Sequence, residues 1–173
     1  MSVVLIGASG AGKTAIGRAI ANCLGWAWLD TDREIEESYG KITEIFKIHG
    51  ETGFRKMEKK IVQEITAVSN KERLVLSTGG GTLMDEENAV ALKNFGKILY
   101  LKGSPETLLA RLNGCDDRPL LLGENGKKEF VERLEKRLPI YENYADFTVV
   151  TDGKTEKETL KEVVDILRAN GVC

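Results

Sequence analysis

Short apolar runs alternate with longer amphipathic segments along the chain. The runs are rich in β-branched or aromatic side chains and are bounded by turn residues, which is typical of strands buried on both faces of a parallel sheet. They are Val3–Ile6, Trp26–Leu29, Leu74–Leu76, Ile98–Leu101 and Phe147–Val150.

The segments between these runs carry helix signals. Thr155 and Glu158 have the spacing of a capping box, and the apolar residues that follow them recur with the period of a helix. Ser104 and Pro105 fit an N-cap followed by proline at the first helical position. This alternation predicts a three-layer α/β/α domain with a central parallel sheet of about five strands.

Composition and charge narrow the class of protein. The length of 173 residues fits one domain, 1–173. Hydrophobic residues make up 42% of the chain and charged residues 30%, a composition that is typical of soluble globular proteins. Because 25 basic and 27 acidic side chains nearly cancel, we expect no nucleic-acid partner. No apolar run approaches about 18 residues, so we expect no membrane span.

The cysteines and the N-terminal residues indicate a compartment. Cys23, Cys115 and Cys173 have no C-x-x-C spacing and are interpreted as free thiols in a reducing environment. No basic region with an apolar stretch precedes the first run, so no signal peptide is expected. We therefore expect a cytoplasmic protein, unless a transit peptide was removed.

Residues 7–14, Gly-Ala-Ser-Gly-Ala-Gly-Lys-Thr, match the phosphate-binding pattern G-x-x-x-x-G-K-[ST] between a predicted strand and a predicted helix. Backbone N–H groups of such a loop, here at Gly10, Ala11 and Gly12, surround phosphate oxygens, and the helix N-terminus favours the same anion. Lys13 is expected to reach the β- and γ-phosphates of ATP, and the Thr14 hydroxyl to bind Mg²⁺. The alternative is an ordinary glycine-rich turn.

Two acids follow the second predicted strand, whereas the third strand ends without one. If the stretch Asp30-Thr31-Asp32 is extended, Asp30 and Asp32 point the same way, at the carboxyl end of a strand, where open α/β sheets bind ligands. One acid would support Mg²⁺ and the other would meet an acceptor hydroxyl. The alternative is that one of them only caps the next helix.

Three successive glycines, Gly79, Gly80 and Gly81, follow the third strand. Residues without a Cβ let a substrate approach the backbone closely, although a flexible turn is the alternative. Residues 113–127 are loop-like and polar, and are expected to form either a mobile lid or a surface loop. Pro139 lies inside a helical pattern and predicts a kink or a break there.

Three arginines stand in unusual sequence contexts, although each alone is typical of a solvated surface residue, and Arg55 with Glu58 could form a plain i, i+3 helix pair. They lie in the segments 50–58 (G-E-x-x-F-R-x-x-E), 118–121 (R-P-L-L) and 137–146 (R-x-P-x-Y-x-x-x-A-D). Together with the phosphate loop, the D-T-D and the T-G-G-G, these motifs resemble the shikimate kinase family in order and spacing. The resemblance covers the chain from Val3 to the last predicted helix.

The resemblance implies an ATP-dependent phosphotransferase that converts shikimate to shikimate 3-phosphate, with Mg²⁺ as cofactor and small molecules as its only partners. On the nucleotide side it implies ATP binding by the phosphate loop and Lys13, metal binding by Thr14 and, through water, by Asp30, and adenine stacking by Arg111. Arg118 would arrive from the lid to neutralise charge on the transferring group. A solvent-facing position is the alternative for Arg111.

On the acceptor side, the resemblance implies that Asp32 holds the shikimate hydroxyls and orients or deprotonates the attacking one. Arg55 and Arg137 would clamp the carboxylate, and Gly79, Gly80 and Gly81 would contact the substrate through backbone. Other acceptors such as gluconate or a nucleoside monophosphate, and a nucleotide-binding module without catalysis, stay open. Because the chain carries a complete set of site residues, a monomer is expected.

Overall fold

A computed structural model of the protein describes residues 1–68, 73–112 and 123–173. Five strands form one sheet in which every neighbouring pair is parallel, with the order β2-β3-β1-β4-β5. Their bounds are β1 Ser2–Ile6, β2 Ala27–Asp30, β3 Leu74–Ser77, β4 Gly96–Lys102 and β5 Phe147–Val150.

Seven α-helices and one 3₁₀ turn, Thr82–Met84, connect and flank these strands in the described residues. The capping box predicted at the start of the last helix is present. The helices are α1 Lys13–Leu24, α2 Thr31–Tyr39, α3 Ile42–Val68, α4 Glu86–Phe95, α5 Pro105–Leu112, α6 Gly123–Tyr144 and α7 Glu156–Ala169.

The strand order places helices on both faces of the sheet. The connection from β1 to β2 runs in the opposite direction across the sheet from the connections that follow it. Because parallel crossovers are right-handed, α1 lies on one face and α3, α4 and α6 lie on the other. The last helix, α7, packs beside α1. The predicted three-layer fold with a five-stranded parallel sheet is confirmed.

The central strand β1 is buried along its whole length, and its side chains form the middle of the core. The direction of the connections reverses between β1 and β3, which makes the crevice at their carboxyl ends the point where open α/β sheets bind ligands. The glycine-rich loop follows β1 and the triple glycine follows β3. Both predicted motifs therefore meet at this crevice.

Helix α6 corrects two predictions. Residues 123–127, predicted as loop, are its first turn, because Phe130 and Leu134 pack into the core and this burial outweighs the poor helix propensity of the preceding residues. Of the kink or break predicted at Pro139, the break is wrong, because the helix continues to Tyr144, with the proline ring on the exposed side. The rest of the predicted lid, 113–122, lies outside the described residues.

Helix α3 contains a bend that the sequence pattern did not predict. Gly50 has φ 65° and ψ −173°, values outside the helical region, so the residues before and after it form two helical segments. A positive φ at this point suits glycine. In the parts of the chain that the structure describes, no helix is long and apolar enough to cross a membrane.

Candidate active site

The loop between β1 and α1 is shaped by glycines with positive φ. Gly7, Gly10 and Gly12 have φ values of 144°, 84° and 87°. A Cβ at Gly10 would also lie 2.8 Å from the Leu108 backbone oxygen of α5, so this position needs glycine for space as well as for conformation. The loop and the start of α1 form the phosphate-binding geometry that the sequence motif predicts.

Lys13 and Thr14 are the first two residues of α1. The Lys13 ammonium group folds back over the loop and donates a hydrogen bond to the Ala8 backbone oxygen at 2.8 Å. The Thr14 hydroxyl donates to Asp30 Oδ2 at 2.7 Å. Strand β2 thus delivers a carboxylate directly to the start of the helix that carries the lysine.

Asp30 is a helix cap, the alternative that the sequence left open, and it also contacts Thr14. Its Oδ1 accepts the Asp32 backbone N–H at 3.0 Å, so it is the N-cap of α2, while its Oδ2 accepts the Thr14 hydroxyl. The prediction that Asp30 and Asp32 lie on one side of an extended stretch is wrong. The helix begins at Thr31, and Asp32 lies in its first turn, because the Asp30 side chain satisfies a backbone donor there.

The triple glycine after β3 is surrounded by the predicted acceptor-binding side chains. A Cβ at Gly79 would lie 2.8 Å from Asp32 Oδ1, and a Cβ at Gly81 would lie 2.4 Å from Arg55 Nη2. A Cβ at Gly80 would lie 3.5 Å from Arg137 Nη1. One carboxylate and two guanidinium groups, from α2, α3 and α6, therefore lie against three residues that have no side chains.

Arg55 is held by a buried acid. Its Nη1 donates to Glu58 Oε2 at 2.7 Å, and Glu58, which is 1% exposed, also accepts the Thr82 hydroxyl at 2.7 Å. Burial alone would lower the pKa of Arg55, but Glu58 and Glu51 outweigh it and raise the pKa above its ordinary value. The guanidinium group is therefore charged and fixed beside Gly81.

Arg137 is positioned by its neighbour one turn along α6. The buried Tyr141 hydroxyl donates to the Gly80 backbone oxygen and forms a hydrogen bond with Arg137. Burial raises the pKa of Tyr141, although the charges of Arg137 and Arg55 oppose the shift. Within the described residues, no carboxylate forms an ion pair with Arg137. Its guanidinium group can therefore pair with an anionic ligand.

Arg111 lies on α5, beside the glycine-rich loop. Its Nη1 donates to Thr151 Oγ1 at 2.9 Å, its Nη2 donates to the Thr151 backbone oxygen at 2.8 Å, and the Gly10 oxygen is 3.5 Å from Nη1. The side chain is exposed but anchored across the rim of the loop. Arg118 lies outside the described residues.

The oxygen atoms of Thr14 and Asp30 suit Mg²⁺, a hard cation that takes few protein ligands and keeps water and phosphate oxygens around it. Among residues 1–68, 73–112 and 123–173, no group of three or more His, Cys, Asp or Glu side chains could form an all-protein metal site. The Thr14 and Asp30 oxygens fit a metal that enters together with a nucleotide. Such a metal would neutralise charge on the phosphates.

Comparison with known proteins decides the family. The family model described as "Shikimate kinase" matches residues 9–168. The shikimate kinase of Thermodesulfovibrio yellowstonii is 40% identical over 164 residues, which cover 94% of this chain and 92% of the relative. The chain belongs to the shikimate kinase family. It is therefore an ATP-dependent kinase of the shikimate pathway, which confirms the family, enzyme class and activity that the motifs predicted.

Solved structures agree with this placement in the shikimate kinase family. The shikimate kinase of Acinetobacter baumannii, solved in complex with shikimate, has a TM-score of 0.89 and 35% identity, covering 98% of this chain and 93% of that one. A deoxyadenosine kinase from M. mycoides has a TM-score of 0.63 at 20% identity, covering 98% and 100%. The second likeness shows the fold alone.

Within this shikimate kinase fold, the sequence motifs contained two residues to which no part in the active site was assigned. Glu58 lies three residues after Arg55, and Tyr141 lies four residues after Arg137. These spacings place each residue on the same helix face as its arginine. Helical spacing was therefore the available signal, and burial in the structure separates these two residues from ordinary surface pairs.

Proposed function

We propose that this chain transfers the γ-phosphoryl group of ATP to the 3-hydroxyl of shikimate, giving shikimate 3-phosphate and ADP. The observation that carries the proposal is the convergence of Asp32, Arg55 and Arg137 on the three glycines beside the phosphate loop. A planar carboxylate fits two guanidinium forks, and a hydroxyl fits a carboxylate. The Acinetobacter baumannii relative binds shikimate, which carries both groups.

On the acceptor side, Arg55 and Arg137 bind the shikimate carboxylate, and Gly79, Gly80 and Gly81 let the ring approach the backbone. Asp32 accepts a hydrogen bond from the attacking hydroxyl and orients or deprotonates it. Phosphoryl transfer depends on positioning and on charge stabilisation rather than on a covalent intermediate. The absence of a paired nucleophile from this set of residues is therefore consistent with the reaction.

On the nucleotide side, backbone N–H groups of Gly10, Ala11 and Gly12 bind phosphate oxygens, and Lys13 extends to the β- and γ-phosphates. Thr14 and, through water, Asp30 would hold Mg²⁺, which would neutralise charge on the phosphates. At the rim of the loop, adenine stacks on the Arg111 guanidinium, which its bonds to Thr151 hold in place.

The part of the predicted lid that precedes α6, residues 113–122, is proposed to close over the site and deliver Arg118 to the transferring phosphoryl group, where closure would exclude water. Residues 30–60 are proposed to form the acceptor-binding region of a single domain, 1–173. We further propose that the protein works as a monomer in the cytoplasm, which sedimentation of the purified chain and fractionation of cells would test.

The proposal is tested by ADP release with ATP and Mg²⁺ and with shikimate, gluconate or AMP added separately. Of the three acceptors, only shikimate is expected to support turnover, at about 1–100 s⁻¹, which is the usual range for a kinase. Activity only with gluconate or AMP would contradict the acceptor assignment while keeping the nucleotide site. ATP binding without acceptor-dependent ADP release would favour a nucleotide-binding module.

A further inference from the structure

Trp28 lies on strand β2 two residues before Asp30, so both side chains project toward the same face of the sheet. Its indole Nε1–H donates to Ser77 Oγ at 3.1 Å, and Ser77 Oγ donates to the Lys13 backbone oxygen at 3.0 Å. Ser77 is the β3 partner of Asp30 in the sheet register. Two consecutive hydrogen bonds therefore connect the edge strand, through β3, to the first residue of α1.

Gly17 of α1 makes this arrangement possible. A Cβ at position 17 would lie 2.4 Å from Ser77 Oγ and 2.9 Å from Trp28 Nε1. Glycine in a helix interior costs about 1 kcal/mol relative to alanine. The helix therefore lies directly against the Trp28–Ser77 pair, at the expense of a poor helix former in its second turn.

Two arginines pack on the indole ring from the helices that carry the proposed site residues. The guanidinium carbon of Arg18, on α1, lies 4.8 Å from the ring centroid, and that of Arg33, on α2, lies 5.5 Å from it. Cation–π contacts of this kind favour a fixed ring. The indole thus contacts the helix that begins with Lys13 and Thr14, and the helix that Asp30 caps.

We infer that Trp28 and Ser77 are positioning residues that set the distance between Thr14 and Asp30, and thereby the magnesium site; this inference rests on the proposed function. A serine hydroxyl has one proton to donate. Because the indole N–H occupies an acceptor position of Ser77, the hydroxyl proton is directed to the Lys13 oxygen. This bond holds the first turn of α1 against β3, the strand that pairs with Asp30.

The decisive variant is Trp28→Phe, which keeps an aromatic ring under the arginines and removes the N–H donor together with the five-membered ring of the indole. Calorimetric titration with ADP, in the presence and absence of Mg²⁺, measures the gain in affinity that the metal provides. Loss of one oriented hydrogen bond is expected to reduce this gain about five- to tenfold. The KM for shikimate should change little, because the phenylalanine ring keeps the Arg33 contact with α2, and Arg55 and Arg137 lie on other helices.

Ser77→Ala removes the middle of the same connection and should give the same phenotype. Since both substitutions interrupt one connection, the double variant should be no worse than the more affected single variant. Ser77→Ala removes only one oxygen atom, so it also serves if Trp28→Phe folds poorly. The matched control is Trp26→Phe, the same substitution two residues earlier, which should leave the magnesium-dependent gain intact.

A purely structural role predicts a different outcome. If Trp28→Phe and Ser77→Ala lower the melting temperature but keep the full magnesium-dependent gain in ADP affinity, the positioning role is wrong. The titration needs no acceptor, so it tests this role separately from the transfer reaction. Failure of the unmodified chain to phosphorylate shikimate would instead contradict the proposed function.

Discussion

The two arginines beside the triple glycine are held in different ways. Arg55 is fixed by the buried carboxylate of Glu58, whereas Arg137 forms a hydrogen bond with the neutral hydroxyl of Tyr141. An arginine already paired with an acid contributes position more than free charge, because part of its field is cancelled. We therefore expect Arg137 to contribute more of the attraction for an anionic acceptor.

Arg137→Lys should raise the KM for shikimate about tenfold, because an ammonium group cannot reproduce the planar fork that binds a carboxylate. The KM for ATP should change little. Steady-state kinetics with each substrate varied in turn measures both. Arg133→Lys, one turn earlier on the same helix, is the control, and an equal effect of the two substitutions would contradict the assigned role.

Asp32→Asn should lower kcat about 10²- to 10⁴-fold, the range typical of a general base, while ATP still binds. The amide keeps the size of the side chain but cannot accept the hydroxyl proton. Glu34→Gln removes a carboxylate from the same helical turn and should leave kcat near normal. An Asp32→Asn variant with near-normal turnover would rule out the base assignment.

At the scale of elements, helix starts rather than helix interiors carry much of the site. Lys13 and Thr14 open α1, Asp30 caps α2 with Asp32 in its first turn, and Thr82 opens the 3₁₀ turn after the glycines. Helix N-termini present unpaired N–H groups and a partial positive charge. The N-terminal ends of these helices therefore converge on the crevice, and their partial positive charge suits phosphate groups.

Helix α7 has a cap that can be tested apart from the site. The Thr155 hydroxyl accepts the Glu158 backbone N–H at 3.3 Å, and Glu158 Oε2 accepts the Thr155 backbone N–H at 2.8 Å. Thr155→Ala should lower the free energy of unfolding by about 1 kcal/mol and the melting temperature by about 2–4 °C. Thermal denaturation measures this, and kcat should stay unchanged. A variant as stable as the unmodified chain would show that the cap contributes nothing.

At the scale of the whole molecule, Asp146 ties the carboxyl end of α6 to the sheet. Its Oδ2 accepts the Ile98 backbone N–H at 2.8 Å, and Lys93 and Lys97 lie 3.0 and 3.5 Å from Oδ1. Burial alone would raise the pKa of Asp146, but the Ile98 N–H and the two lysines outweigh it and lower the pKa below its ordinary value of 3.8. The ionised carboxylate thus favours the folded state.

An acid whose pKa is lower in the folded state stabilises the fold above its unfolded pKa, and this contribution is lost as the pH falls through the folded pKa. Asp146→Asn should therefore lower the free energy of unfolding at pH 7 by about 1–2 kcal/mol. The difference from the unmodified chain should shrink below about pH 4. Urea denaturation at several pH values measures it, with exposed Asp165→Asn as control. A difference independent of pH would exclude the ionised carboxylate as its cause.

The layers and the strands could be predicted from the sequence, because continuous apolar runs can be recognised without tertiary information. The spacing of the motifs predicted which residues gather at the crevice. It did not predict that α2 begins at Thr31, since a capping carboxylate and an extended acid pair look alike over three residues. It also did not predict the Trp28–Ser77 bond, which joins positions 49 residues apart. Such contacts depend on sheet register and helix placement, which the local pattern does not encode.

The central position of β1 has a consequence for biosynthesis. Its first hydrogen-bonding neighbour, β3, follows about 70 residues later in the chain, which takes roughly 4–14 s at ordinary rates of translation. During that interval β1, which is apolar from Val3 to Ile6, emerges from the ribosome before either strand that it pairs with. A nascent chain halted before residue 74 would therefore be a client for holdase chaperones, and release from them should coincide with synthesis of β3 and β4.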